Sequence, residues 1–142
     1  MDLSRSVVSG VLVCLLVACS PLVFTGNESE VVALETPSVV YRKITADEAK
    51  TIMDSGEPFV LLDVRTLEEY LEKRIDGALL IPDYDIKDRA ELELLDKNAL
   101  ILIYCRSGRR SANAAHEMIE MGYSNVFDFG GIMDWPFDTI EN

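Results

Sequence analysis

Four apolar runs constrain this chain more than anything else: 59–62, 77–81, 99–104 and 126–129, each followed or preceded by a helix signal. The runs are short, and apolar except for Asp128 in the last, as in strands covered on both faces. Two S/T-x-x-E capping boxes accompany them, one before the first run and one after it. Thr45-Ala46-Asp47-Glu48 opens a helix to about Met53, closed by Ser55-Gly56, and Thr66-Leu67-Glu68-Glu69 opens a shorter one to about Glu72. A helix with an acidic outer face is expected over 85–95 and another over 111–121, ended by Gly122. Residues 41–44 add a short strand ahead of the first helix. Strands alternating with helices predict an α/β domain, a central parallel sheet of about five strands with right-handed crossovers and helices on its faces.

Ligands of such sheets bind beyond the strand C-termini. Asp63, Arg65 and Cys105 all fall there. The most informative stretch is Tyr104-Cys105-Arg106-Ser107-Gly108-Arg109-Arg110-Ser111, which joins the 99–104 strand to the following helix. A helix start offers unpaired N–H groups and partial positive charge, so it favours anions. A thiol held there ionises more readily and is nucleophilic at neutral pH. The three arginines stand out because the 142-residue chain carries a net charge of −12, which argues against nucleic acid as a partner. His116 lies well inside the helix and is read as a helix-face residue, not a base. Trp135 is read as core. With one His and three Cys at no metal-site spacing, no metal site and no cofactor are expected.

The N-terminal segment has its own logic. Arg5 precedes an apolar stretch, Val7 to Val17, of signal-peptide length and too short to span a bilayer. Leu16-Val17-Ala18-Cys19 resembles the lipobox of bacterial lipoproteins, in which the cysteine is lipidated and becomes the mature N-terminus. The expected organisation is therefore a lipoprotein-type signal peptide at 1–18, lipidated Cys19 and a Ser/Thr/Gly/Pro-containing tether at 19–40, and a globular domain at 41–142. An uncleaved anchor and an ordinary signal peptide are the alternatives. In the lipoprotein reading the domain sits in the bacterial cell envelope, outside the cytoplasm, held to a membrane by lipid. Cys14 leaves with the leader, Cys19 carries lipid, and Cys105 remains as the lone thiol in an oxidising compartment.

Four segments resemble the single-domain rhodanese sulfurtransferases. Asp63-Val64-Arg65 with Glu69-Tyr70 resembles that family's D-V-R-x-x-x-E-[YF] segment. Ile75-Asp76-Gly77-Ala78-Leu79-Leu80-Ile81-Pro82 resembles its I-x-G-A-x-x-I-P segment. Cys105 to Ser111 resembles its loop C-R-x-G-x-R-[ST], and Gly130-Gly131-Ile132-Met133-Asp134-Trp135 its closing G-G-x-x-x-W. Lys73-Arg74 departs from the family's usual Gly-His and is read as surface tuning. The resemblance implies a persulfide on Cys105, held by the backbone N–H groups of Arg106, Ser107, Gly108, Arg109, Arg110 and Ser111, with the arginines adding charge for a small anionic sulfur donor. Thiosulfate or a related donor would supply the sulfur, and a thiol or other thiophilic acceptor would take it. Asp63 is read as a structural carboxylate under the loop. Arg65 is read as pairing locally, with approach to substrate as the alternative. Two other functions compete: a carrier or redox-sensing module that hands sulfur to a partner protein, and a phosphatase or arsenate reductase relative. The second disagrees with Ser111 at the loop's end, where those enzymes place Arg. Intact Cys105 argues against an inactive scaffold.

Overall fold

The computed structural model of the chain describes residues 41–142. The expected signal peptide, Cys19 and tether lie outside the described residues. In order, the elements are β1 (Arg42–Lys43), α1 (Ala46–Asp54), β2 (Val60–Asp63), α2 (Leu67–Glu72), β3 (Lys73–Arg74), β4 (Leu79–Leu80), a 3-10 turn (Asp83–Asp85), α3 (Ile86–Glu93), β5 (Ile101–Cys105), α4 (Arg109–Glu120), β6 (Val126–Gly131), a second 3-10 turn (Ile132–Asp134) and β7 (Ile140–Glu141). Five strands form one parallel sheet in the order β1-β6-β5-β2-β4.

Both capping boxes form as expected. Thr45 accepts from the Glu48 N–H and Thr66 from the Glu69 N–H, and each glutamate reaches back to its cap residue's N–H. Side chains of β5 alternate between the two faces of the sheet, as the pleat requires. Ile101, Ile103 and Cys105 join the core beneath α3 and α4 with Val64, Ile81, Ala114, Met118 and Tyr123. Leu102 and Tyr104 face the other way, into a core with Ala49 of α1, Ile75, Phe129, Ile132 and Trp135. The result is three layers. Full burial of each such apolar side chain stabilises the fold by about 1.5–3 kcal/mol.

Several boundaries differ from the sequence reading. The expected strand at 77–81 is only Leu79–Leu80, because Gly77 takes a φ of 75° before it and Pro82 comes soon after it. The helix expected from 85 begins at Ile86 after a 3-10 turn, and α4 begins at Arg109 instead of Ser111. Lys73-Arg74, read from the sequence as surface tuning, is half-exposed. It is strand β3, paired antiparallel with β7, with Lys73 ion-paired to Glu141 at 3.0 Å. Arg74 lies 5.1 Å over the Tyr70 ring, and its Nη1 is buried without a hydrogen-bond partner among the described residues. Among the described residues, no helix is long and apolar enough to cross a membrane.

Candidate active site

Cys105 ends β5 at the C-terminal edge of the sheet. Ile103 pairs with Asp128 but Cys105 pairs with Gly131, so β6 carries an extra residue between them. Such a bulge bends its strand and re-aims the residues beyond it. A local turn builds it: the buried Asp128 carboxylate accepts the Gly130 N–H at 2.9 Å and the Tyr41 hydroxyl at 2.8 Å. Past the bulge the chain turns back under the cysteine loop, and the Met133 N–H donates to the Arg106 carbonyl at 3.2 Å.

The loop closes over the sulfur. The Gly108 N–H donates to Cys105 Sγ at 3.1 Å. Gly108 is the N-cap of α4 with φ 94°, a left-handed conformation costly for any residue with a Cβ. It lets the loop curl so that successive N–H groups face one point. Burial pushes the Cys105 thiol up, but the Ser111 N–H and hydroxyl and the N–H groups of Ser107 and Gly108 outweigh it and hold the thiol below its ordinary value. Ser111, fully buried, also sits 3.1 Å from the Gly108 carbonyl and 3.2 Å from the Gly130 carbonyl. Its single hydroxyl proton can serve only one of these acceptors at a time. Cys105 is 1% exposed, so only the slender end of a reactant reaches its sulfur.

Gly131 lies against the back of the loop. A Cβ there would collide with the Arg106 carbonyl oxygen and stand 2.6 Å from Ser107 Cα and 2.8 Å from Arg106 C. All three are backbone atoms, so the loop itself must move. Gly131→Ala is expected to cost about 1–3 kcal/mol in urea unfolding and to lower sulfur uptake on Cys105 by at least about tenfold. A variant with wild-type uptake would show that the loop's placement is not critical.

The three arginines play different parts. Arg110 is locked in a two-pronged ion pair with Glu69, each prong 2.8 Å long. The Arg110 hydrogen bond holds the Glu69 carboxyl below the usual carboxylate range, and Glu69 in turn raises Arg110. This pair ties the first turn of α4 to the first turn of α2. Arg106 and Arg109 are exposed and make no ion pair among the described residues. The expected grip of three arginines thus reduces to two free cations, with Arg110 acting as a brace.

Asp63 and Arg65 turn inward. Arg65 Nε donates to Asp63 Oδ1 at 2.9 Å and Nη2 to Oδ2 at 2.6 Å, while the Arg65 N–H donates to Oδ1 at 2.9 Å. Nη2 also donates to the Lys73 carbonyl at 2.6 Å. The guanidinium lies 5.5 Å over the Tyr104 ring. Burial works against the Arg65 charge, but the Asp63 hydrogen bonds and charge more than offset it. Burial, then Asp63, pushes the Tyr104 hydroxyl far up, so it stays neutral and accepts the Ile75 N–H at 3.2 Å. The pair therefore supports the strand that carries Cys105. His116 is exposed on α4 and stacks on Tyr41 at 4.4 Å. Among the described residues there is no group of three or more His, Cys, Asp or Glu that could hold a metal. Sequence reasoning missed the Arg110–Glu69 brace and buried Asp128. The only signals were Glu69 in its capping box and the D-x-G spacing of Asp128 and Gly130.

Known proteins resemble this chain in sequence and fold. The profile of the rhodanese-like domain matches residues 45–136. Thiosulfate sulfurtransferase PspE of Escherichia coli (strain K12) is 38% identical over 80 residues, 56% of this chain and 77% of that protein. Putative sulfur carrier protein YrkF of Bacillus subtilis (strain 168) is 38% identical over 98 residues, 68% of this chain and 52% of that protein, so the chain spans about half of that relative. Among solved structures, a rhodanese with anions from E. coli superposes with a TM-score of 0.56 at 33% identity, covering 60% of this chain and 100% of the other.

Proposed function

The chain belongs to the rhodanese-like family, and on that premise we propose that it moves a sulfane sulfur from thiosulfate or a related donor to a thiophilic acceptor through a persulfide on Cys105. The observation that carries this reading is a thiol at the end of β5 whose sulfur accepts the Gly108 N–H at 3.1 Å, just ahead of the first turn of α4.

The Cys105 thiolate attacks the outer sulfur of thiosulfate. A sulfur–sulfur bond forms to Sγ, the donor's own sulfur–sulfur bond breaks, and sulfite leaves with the electron pair. The anionic outer sulfur of the persulfide then meets the N–H groups of the loop, oriented before the reaction begins. Arg106 and Arg109 lend positive charge at the mouth for the incoming and departing anions. In the second step a nucleophile, cyanide in the test tube or a thiolate in the cell, attacks the outer sulfur and Cys105 leaves as thiolate. The loop's N–H groups lower the thiol's pKa and so raise the fraction present as thiolate, which is how this site activates its nucleophile. Incubation with thiosulfate and then cyanide tests the reading: intact mass should rise by one sulfur atom, then fall as thiocyanate appears. A chain that gains no sulfur and yields no thiocyanate overturns it.

The depressed thiol also sets the pH dependence. The first step runs on thiolate, whose fraction stays high as pH falls through the ordinary thiol value and drops only below the lowered one. The midpoint of a single-turnover profile should therefore lie on the acid side of an ordinary thiol's. A profile that declines with an ordinary thiol's pKa would contradict the cradle's role.

The N-terminal segment supports a place in the bacterial cell envelope, with Cys19 lipidated as the anchor. Cys19→Ala should release the protein from the membrane fraction, and retention of that variant would favour an uncleaved anchor. A second reading, delivery of sulfur to a partner protein without rapid turnover on small donors, draws support from the similarity to a putative sulfur carrier protein.

A further inference from the structure

Beside the loop lies a cavity of 220 Å³ lined by Arg65, Glu69, Glu72, Lys73, Arg106, Ile132 and Met133. Most of its charges are already spent. Arg65 is bound to Asp63 at 2.6 Å, Glu69 to Arg110 at 2.8 Å, and Lys73 to Glu141 at 3.0 Å. What remains, among the described residues, is one free cation, Arg106, and one free carboxylate, Glu72. Ile132 and Met133 add apolar surface to the lining, and Met133 is 68% exposed.

We propose that this cavity takes the sulfur acceptor, and that the acceptor is a small zwitterionic thiol, with an ammonium and a carboxylate on one short skeleton. The proposal rests on the sulfur-transfer reading above and names the substrate class of that site. Arg106 offers a planar fork that suits a carboxylate. Glu72 attracts an ammonium and repels a second carboxylate, which disfavours dicarboxylates. The carbon skeleton packs on Ile132 and Met133. Arg106 belongs both to the Cys105 loop and to the cavity lining, so a carboxylate held on it sits beside that loop. The acceptor loses its proton to solvent, and its thiolate attacks the outer sulfur of the persulfide. A new sulfur–sulfur bond forms on the acceptor, the bond to Sγ breaks, and Cys105 departs as thiolate. The charges balance and no oxidant is consumed.

Binding can be read without any turnover. The detergent-solubilised full chain is titrated calorimetrically with S-methylcysteine, methylthiopropionate (no ammonium) and methylthioethylamine (no carboxylate). S-methylcysteine should bind at least about tenfold more tightly than either. Glu72→Gln should erase its advantage over methylthiopropionate, and Arg106→Gln its advantage over methylthioethylamine, while Glu72→Asp should keep part of the first. With thiosulfate as donor, the ratio of kcat/KM for cysteine to that for mercaptopropionate should fall toward one in Glu72→Gln. No binding, equal binding of the three probes, or an unchanged preference in Glu72→Gln overturns the proposal. Selective binding of S-methylcysteine in a chain that makes no thiocyanate supports the pocket and overturns the sulfur-transfer reading, so the two fail separately.

Discussion

Cys105→Ala should abolish both halves of the reaction: no sulfur taken from thiosulfate, and thiocyanate formation reduced by at least about three orders of magnitude. The loss is expected to be this large because nothing else in the loop can hold a covalent sulfur. Ser111 is buried, and its hydroxyl, unlike a thiol beside the same donors, does not ionise near neutral pH. Cys105→Ser separates chemistry from shape, since it keeps a polar atom at the end of β5 and should be as inactive as alanine. Neither variant should unfold. The side chain is small, and the loop is also held by the Arg110–Glu69 pair and by the Met133 N–H on Arg106. Their stability should depart from wild type in a pH-dependent way. The folded thiol's pKa lies below its unfolded value, so the thiolate's contribution is present above the unfolded pKa and is lost as pH falls through the folded one. The deficit of Cys105→Ala in urea unfolding should therefore be largest at alkaline pH and shrink toward acid. Residual activity near the wild-type rate would rule out the persulfide on this sulfur.

What was legible in the sequence was local. Capping boxes at Thr45 and Thr66 use residues three apart, so pattern and structure agree. Buried parallel strands announce themselves as apolar runs, and the Cys105 loop sits between one such run and a helix. The less legible parts depend on distant partners or on backbone angles. That β6 inserts between β1 and β5 is a pairing choice no single segment encodes. Strands β3 and β7 are two residues each, and the charged Lys73-Arg74 shows no alternation to read. Helix α4 starts earlier than expected because Gly108 caps it through a left-handed backbone, with no side-chain hydrogen bond. Ser111, the expected first residue of that helix, is instead buried within its first turn, with its hydroxyl near two carbonyls. The same limit applies to the arginines. Three positive charges within a few residues suggest one anion grip, but Glu69, 41 positions away, claims Arg110. The free charges on Arg106 and Glu72 became visible only once the paired ones were known.

The largest expected effect on stability lies one layer below the thiol. Asp63→Ala should cost about 3–5 kcal/mol, because it strands the Arg65 guanidinium in the interior with its charge uncompensated. Domains of this size are stable by only about 5–15 kcal/mol, so much of the margin would go. The loss has several parts. Two guanidinium prongs lose their acceptor, the Arg65 N–H loses Asp63 Oδ1, and the cation over Tyr104 loses its counterion. Arg65 cannot swing to water without giving up the Lys73 carbonyl as well. Asp63→Asn, which keeps an acceptor of the same shape, should lose less. The double replacement Asp63→Leu with Arg65→Met should lose least of all, since removing both charges removes the penalty along with the attraction. Urea unfolding of wild type, Asp63→Leu, Arg65→Met and their combination makes a cycle whose coupling should exceed about 1 kcal/mol. A loss below about 1 kcal/mol in Asp63→Ala would mean that the pair is solvated in solution. Activity per folded molecule decides the other half of the question. If Asp63 and Arg65 only support the strand, Asp63→Asn should keep its rate of sulfur uptake once corrected for the folded fraction. A rate that collapses while the fold survives would instead place Arg65 in contact with the donor.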